Sequence, residues 1–232
     1  MSDAVSYVLD GGVAAITIDD GKANAISHDV IKGLHEALSE ADGTASAVLL
    51  VGRPGRFSAG FDLSVMTAGT QPMRNLVTAG AGLLLRLFTY PVPVVAACTG
   101  HALAAGALVL LVADERIGAE GDFKVGLNEV AIGMGLPHFA IELARYRMPP
   151  SQLDTALLGD VFPPAEAVKA GYLDRVVPAA DLLDVAREAA TRRSALRTGA
   201  VRHSKELARG PVADAIAANL EADMESLSGP PG

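Results

Sequence analysis

Strands and helices alternate along about the first 180 of this chain's 232 residues, and then helices take over. Two strand segments are apolar along their length and stop at glycine: "ASAVLLVG", ending at Gly52, and "PVVAACTG", ending at Gly100. Uniformly apolar runs this short, bounded by turn residues, read as buried strands. Buried strands separated by helical segments argue for an α/β layered core, here over residues 1–180, with a helical region over 181–232. No linker composition separates the two.

The remaining segments fit that frame. "YVLDGGVAAITIDD" is a strand, a Gly-Gly turn and a second strand, so the chain opens with a hairpin. "ISHDVIKGLHEALSEAD" carries Val30, Ile31, Leu34, Ala37 and Leu38 at helical spacing, with Ser27 placed to cap it. "MRNLVTAGAGLLLRLFTY" reads as a helix stopped by Pro91. A buried core helix is expected over Ala102–Ala113, a short strand at "DERIGAE", and helices from Pro137 and from Ser151. "PPAEAVKAGYLDRVVP" reads as helix, turn and strand. Helical residues 181–227 should break near Thr198-Gly199 and again at Gly210-Pro211, with a frayed "SGPPG" tail.

Composition removes several functions. Hydrophobic residues make up 50% and charged residues 20%, enough for a sizeable core. The net charge is −8, no run of Lys or Arg resembles a nucleic-acid-binding stripe and Trp is absent, which argues against a nucleic-acid partner. The longest apolar segment, Ala102–Ala113, is too short to span a bilayer. The N-terminus lacks the basic and apolar blocks of a signal peptide. The lone cysteine, Cys98, sits in an apolar run and reads as an inert thiol, so a reducing, cytoplasmic setting is expected. The five histidines, at 28, 35, 101, 138 and 203, are scattered and suggest no metal site.

Three segments carry candidate chemistry. "GRFSAGFDL", Gly55 to Leu63, is a loop fed by a buried strand. "CTGHALAAGAL", Cys98 to Leu108, takes a strand through Gly100 into a helix whose first turn is Ala and Gly. Small residues there leave the first helical N–H groups open to a ligand, where negative charge is favoured. "KVGLNEVAIG", Lys124 to Gly133, sets Glu129 among mostly apolar residues, a costly position for a carboxylate without a partner or a use.

In order and spacing, "RFSAGFDL" and "GHALAAGALVLLVADERIGAE" resemble the enoyl-CoA hydratase/isomerase (crotonase) family, and "FPPAEAVKAGYLDRVVP" resembles its helix–turn–strand. The resemblance covers nearly the whole chain. It implies a spiral of ββα units, a C-terminal helical region that forms homotrimers or hexamers, and an acyl-CoA substrate with no separate cofactor. It also implies that the backbone N–H groups of Phe61 and Ala105 hold the thioester oxygen. Around them, Ala59, Gly60 and Asp62 belong to the substrate loop. Lys22 and Ala23 of "GKANAI" lie along the adenosine-phosphate part of coenzyme A, and Lys205 is a further cation for a phosphate.

Hydratases of this family share a water between two glutamates. One matches Glu129, while Leu108 stands at the other position and neither Ala107 nor Val109 replaces it. "VGLNE" resembles the mitochondrial Δ3,Δ2-enoyl-CoA isomerase type, in which that glutamate is the only base. Three readings therefore stay open: isomerisation by Glu129 alone, hydration with an incomplete pair, and acyl-CoA binding without catalysis. Met66, Leu76, Leu83, Leu84, Met134 and Phe139 are the residues expected near an acyl tail.

Overall fold

The structure is a computed structural model and describes residues 2–227, so the "SGPPG" tail lies outside it. Four strand–strand–helix units follow one another. The first has the hairpin β1 (Val5–Asp10) and β2 (Val13–Ile18), then β3 (Ala25–Ile26) and α1 (His28–Ala41), whose Val30 N–H donates to the Ser27 hydroxyl. The second runs through β4 (Ala47–Val51), β5 (Gly55–Ser58), β6 (Gly60–Phe61), the short α2 (Leu63–Met66) and α3 (Thr70–Phe88). The third is β7 (Val94–Cys98), β8 (Gly100–Leu103) and α4 (Ala105–Val112). The fourth is β9 (Glu115–Ala119), β10 (Val125–Gly126), a 3-10 turn at Val130–Ile132 and α5 (His138–Arg147). Then come α6 (Pro150–Leu157), α7 (Pro164–Ala170), β11 (Arg175–Val177), α8 (Leu182–Ser194) and α9 (Thr198–Ser226).

From β4 onward, the first strand of each unit joins a six-stranded sheet of order β1-β2-β4-β7-β9-β11, parallel except for the β1–β2 hairpin. The next strand joins a parallel three-stranded sheet, β10-β8-β5, while β3 pairs with β6. This is the expected ββα spiral. The uniformly apolar strands follow from burial on both faces of the large sheet. Leu49, Val51, Val95 and Ala97 meet Leu182, Ala186, Ala189 and Ala190 of α8. Their neighbours Val48, Leu50, Val94 and Ala96 face the main core with α1, α3 and α4.

Two expectations need correction. The core helix begins at Ala105 rather than Ala102, because Gly100–Leu103 is claimed by the small sheet through Ala102 N–H to the Lys124 carbonyl. The chain does break between α8 and α9, but α9 continues through Gly210-Pro211. An interior proline costs roughly 3 kcal/mol in a helix. Anchors on both sides outweigh it: Lys205 and Arg209 bind the body before Pro211, and Ile216 and Met224 are buried after it. The carbonyl that loses its donor, on Leu207, belongs to a residue that is 69% exposed. Among the described residues, no helix is long and apolar enough to cross a membrane.

Candidate active site

The turn after β2 is locked before it reaches the site. Asn24 is fully buried with φ near +53°, a conformation Asn tolerates better than most side chains. Its side-chain amide donates to the carbonyls of Ile18, Arg56 and Phe57, and its Oδ1 accepts from the Asp20 N–H. The Ser58 hydroxyl then donates to the Asn24 carbonyl at 2.8 Å and accepts the Gly60 N–H. These bonds fix the Lys22–Asn24 loop to the end of β5. Asn24 and Ser58 were not singled out in the sequence, since a buried Asn in a turn has no local signature.

The loop after β5 and the start of α4 are in contact. Gly60 has φ near +95°, and a Cβ there would lie 2.8 Å from the Ala104 Cβ and 3.4 Å from the Ala105 nitrogen. Ala104 itself has φ 51° and ψ −126°, a strained conformation for a side-chain-bearing residue. Phe61 and Ala105, distant in sequence, thus sit on adjoining backbone segments. Ala105 opens α4, so its N–H has no acceptor within the helix. All eight residues of α4 are buried, which removes competing water from the helix end.

Above these segments lies a cavity of about 290 Å³, lined by apolar residues with the exception of Asn128 and Glu129. Phe61 and Leu108 are in its wall. Glu129 opens the 3-10 turn; its carbonyl accepts the N–H groups of Ile132 and Met134. Its Oε2 is buried without a hydrogen-bond partner, as is the Oδ1 of Asn128. Loss of solvation pushes the Glu129 carboxyl up to about 7. Behind it, the fully buried Tyr172 accepts the Leu127 N–H, which ties down the strand that delivers Glu129. Of the apolar residues that follow Glu129, Val130 and Ile132 are 41% and 46% exposed; Ile132 still lines the cavity, and the enclosure is completed by Met134 and, from distant elements, Leu108 and Phe139. Of the expected tail residues, Met66, Met134 and Phe139 line the cavity, whereas Leu76, Leu83 and Leu84 are core.

A second, wetter groove shares Ala59 and Leu103 with the cavity and contains Lys22, Ala23, Arg56, His101 and Lys124. The Nδ1 of His101 accepts the Lys124 N–H at 3.0 Å. Desolvation and then the Arg56 charge hold its pKa below the ordinary value. Lys22, Ala23 and Ala59, singled out from the sequence, all line this groove. Arg56, His101 and Lys124 are additions, two cations and an imidazole gathered only by the pairing of β5, β8 and β10. Two expectations fail to converge here. The Asp62 carboxylate caps α2, accepting from the N–H and hydroxyl of Ser64, and lines neither space. Lys205 is buried and bound to Asp114 at 2.8 Å and to the Val92 carbonyl, so it is unavailable to a phosphate.

The enoyl-CoA hydratase/isomerase family profile matches residues 9–230. Human mitochondrial enoyl-CoA delta isomerase 1 is 31% identical over 223 residues, covering 93% of this chain and 74% of the relative. An enoyl-CoA hydratase/isomerase family protein from Pseudomonas syringae superposes with a TM-score of 0.95 at 41% identity, covering 97% and 99% of the two chains. An enoyl-CoA hydratase from Mycobacterium marinum gives 0.91 at 36% identity, covering 97% and 100%. Motif order, spiral fold and matches along the whole length agree: this chain belongs to the enoyl-CoA hydratase/isomerase family of enzymes.

Proposed function

We propose that the protein is a Δ3,Δ2-enoyl-CoA isomerase in which Glu129 is the only base. The observation that carries this is the composition of the cavity wall. Glu129 is the one carboxylate among its lining residues, and Leu108, 1% exposed, occupies the place of a second acid. Hydration needs a water held and activated beside C3. A wall of Leu108, Met134 and Phe139 offers such a water few partners. Isomerisation needs one base next to C2 and C4 in a dry site, which this wall supplies.

In this reading the basic groove takes the phosphates of coenzyme A through Lys22, Arg56 and Lys124, while Ala23 and Ala59 flank the pantetheine arm. The Glu129 carboxylate removes a proton from C2 of the 3-enoyl thioester. The electron pair of the broken C2–H bond forms a C1–C2 double bond, the carbonyl π pair moves onto the thioester oxygen, and the resulting oxyanion is held by the N–H groups of Phe61 and Ala105. One such donor contributes roughly 3–4 kcal/mol to lowering a barrier of this kind. The protonated Glu129 then delivers the same proton to C4, leaving the double bond between C2 and C3 and the carboxylate restored. No further group is consumed. A homotrimer or hexamer belongs to the same reading.

The test sets a trans-3-enoyl-CoA beside a trans-2-enoyl-CoA. Conversion of the first, lost in Glu129→Gln, with no 3-hydroxyacyl-CoA formed from the second, is the expected result. Vigorous hydration of the 2-enoyl substrate would overturn it.

A further inference from the structure

The end of α9 contributes one side chain, Leu227, to the wall of the apolar cavity. The exposure of the lining gives the cavity a direction. Leu63 and Ile132 are 64% and 46% exposed, so the mouth lies on their side, next to the groove shared through Ala59 and Leu103. Val77, Phe139 and Leu227 are almost fully buried and belong to the enclosed part of the wall. Val77 and Phe139 are interior to α3 and α5, but Leu227 is the residue that ends α9.

Two polar clamps hold that end in place. The buried Asp223 carboxylate accepts the N–H groups of His138 and Phe139, at 2.7 and 3.1 Å, and so caps the first turn of α5 from another helix. Arg74 of α3 donates to the carbonyls of Glu225 and Leu227. A helix end tied to α5 by one charge and to α3 by another is more restrained than its terminal position suggests. Its one side chain in the cavity is Leu227.

We propose that Leu227 is the specificity-determining residue that limits acyl-chain length, with Asp223 and Arg74 as the positioning residues that fix it. The proposal rests on the acyl-CoA reading of the site. The ω end of the chain meets the Leu227 side chain. Each methylene that fits, or fails to fit, an apolar pocket changes selectivity by roughly 10- to 200-fold.

The experiment measures kcat/KM for trans-3-enoyl-CoAs of six to fourteen carbons, and Kd for the saturated acyl-CoAs of the same lengths. Wild type, Leu227→Ala, Leu227→Phe and Arg74→Ala are compared with Leu207→Ala, an exposed residue on the same helix. We expect Leu227→Ala to raise the ratio of long- to short-chain kcat/KM about tenfold or more, and Leu227→Phe to lower it by a similar factor. Arg74→Ala should blunt the preference in both kcat/KM and Kd, and Leu207→Ala should leave it unchanged. If one Leu227 variant fails to fold, the other still decides the direction. Chain-length ratios in the Leu227 variants equal to wild type, with short-chain turnover intact, would overturn the proposal. So would a wild-type protein that binds no acyl-CoA of any length. Binding without isomerisation would refute only the isomerase reading, and the Kd ratios would then decide the role of Leu227.

Discussion

Replacing Glu129 by glutamine keeps the shape of the side chain and removes its titration. Desolvation in the cavity raises the carboxyl from its ordinary 4.5 to about 7. At about 1.36 kcal/mol per pH unit, that gap means the ionised form costs the folded state roughly 3 kcal/mol. The sign follows from proton binding. Below pH 4.5 both folded and unfolded states hold the proton and nothing is lost. Between about 4.5 and 7 the folded protein holds a proton that the unfolded chain has released, so stability falls as pH rises. Above about 7 the full penalty applies. Glutamine has none of this dependence, and any fixed cost of its amide cancels when two pH values are compared. The stability of Glu129→Gln relative to wild type should therefore improve by about 2.5 kcal/mol between pH 5 and pH 8. Urea unfolding of both proteins at equal concentration and at each pH reads this directly. The same variant should lose about 10²- to 10⁴-fold in isomerase kcat. In the wild type, kcat/KM should rise with pH through about 7 as the carboxylate forms. A stability difference that is flat from pH 5 to 8 would refute the claim that the base is held desolvated. Retained isomerase activity in the variant would refute the claim that it is the base.

Other expectations follow from the same geometry. Gly60→Ala would force a Cβ to within 2.8 Å of the Ala104 Cβ, at a φ near +95°; a kcat loss of about tenfold or more, with roughly 1–3 kcal/mol of destabilisation, is expected from kinetics and thermal unfolding. Leu108→Glu places a second carboxylate in the wall, so some 3-hydroxyacyl-CoA should appear from trans-2-enoyl-CoA while stability falls by a few kcal/mol; absence of that product in a folded variant would refute the reading of Leu108. Alanine at Lys22, Arg56 or Lys124 should raise KM several-fold with little change in kcat, and the effect should shrink in high salt. Asn24→Ala leaves the Ile18 and Phe57 carbonyls without their buried donor and should cost about 2–4 kcal/mol, measured by urea unfolding.

Longer elements were legible where local pattern and tertiary burial agree. The strands Ala47–Val51 and Val94–Cys98 are apolar because both faces are covered, and the Ser27 cap fixes where α1 begins. The second strands of the later units, β5, β8 and β10, were not legible. Two to four residues, as in Val125–Gly126, carry no periodicity, and their pairing comes from chain segments far away. The Gly210-Pro211 break failed for a related reason. Local propensity favours a break, but the buried anchors around it exceed that preference.

By itself, the sequence determined the alternation that builds the spiral, the two glycine-rich loops proposed to supply backbone donors, and the presence of one glutamate with a leucine where a second acid would stand. Those are properties of residue type and order. Tertiary structure alone decided which polar side chains share the groove, since Arg56, His101 and Lys124 meet only across paired strands. It decided that Lys205 is locked to Asp114, and that Leu108 and Phe139, far from Glu129 in the chain, share its cavity wall with the nearby Ile132 and Met134. It also decided that Leu227 lines the cavity, at a helix end held by an aspartate and an arginine far along the chain from Glu129. The physical reason is common to all of these: charge proximity and solvent exclusion depend on distance in space, which a linear pattern does not encode until the sheet and helices have packed.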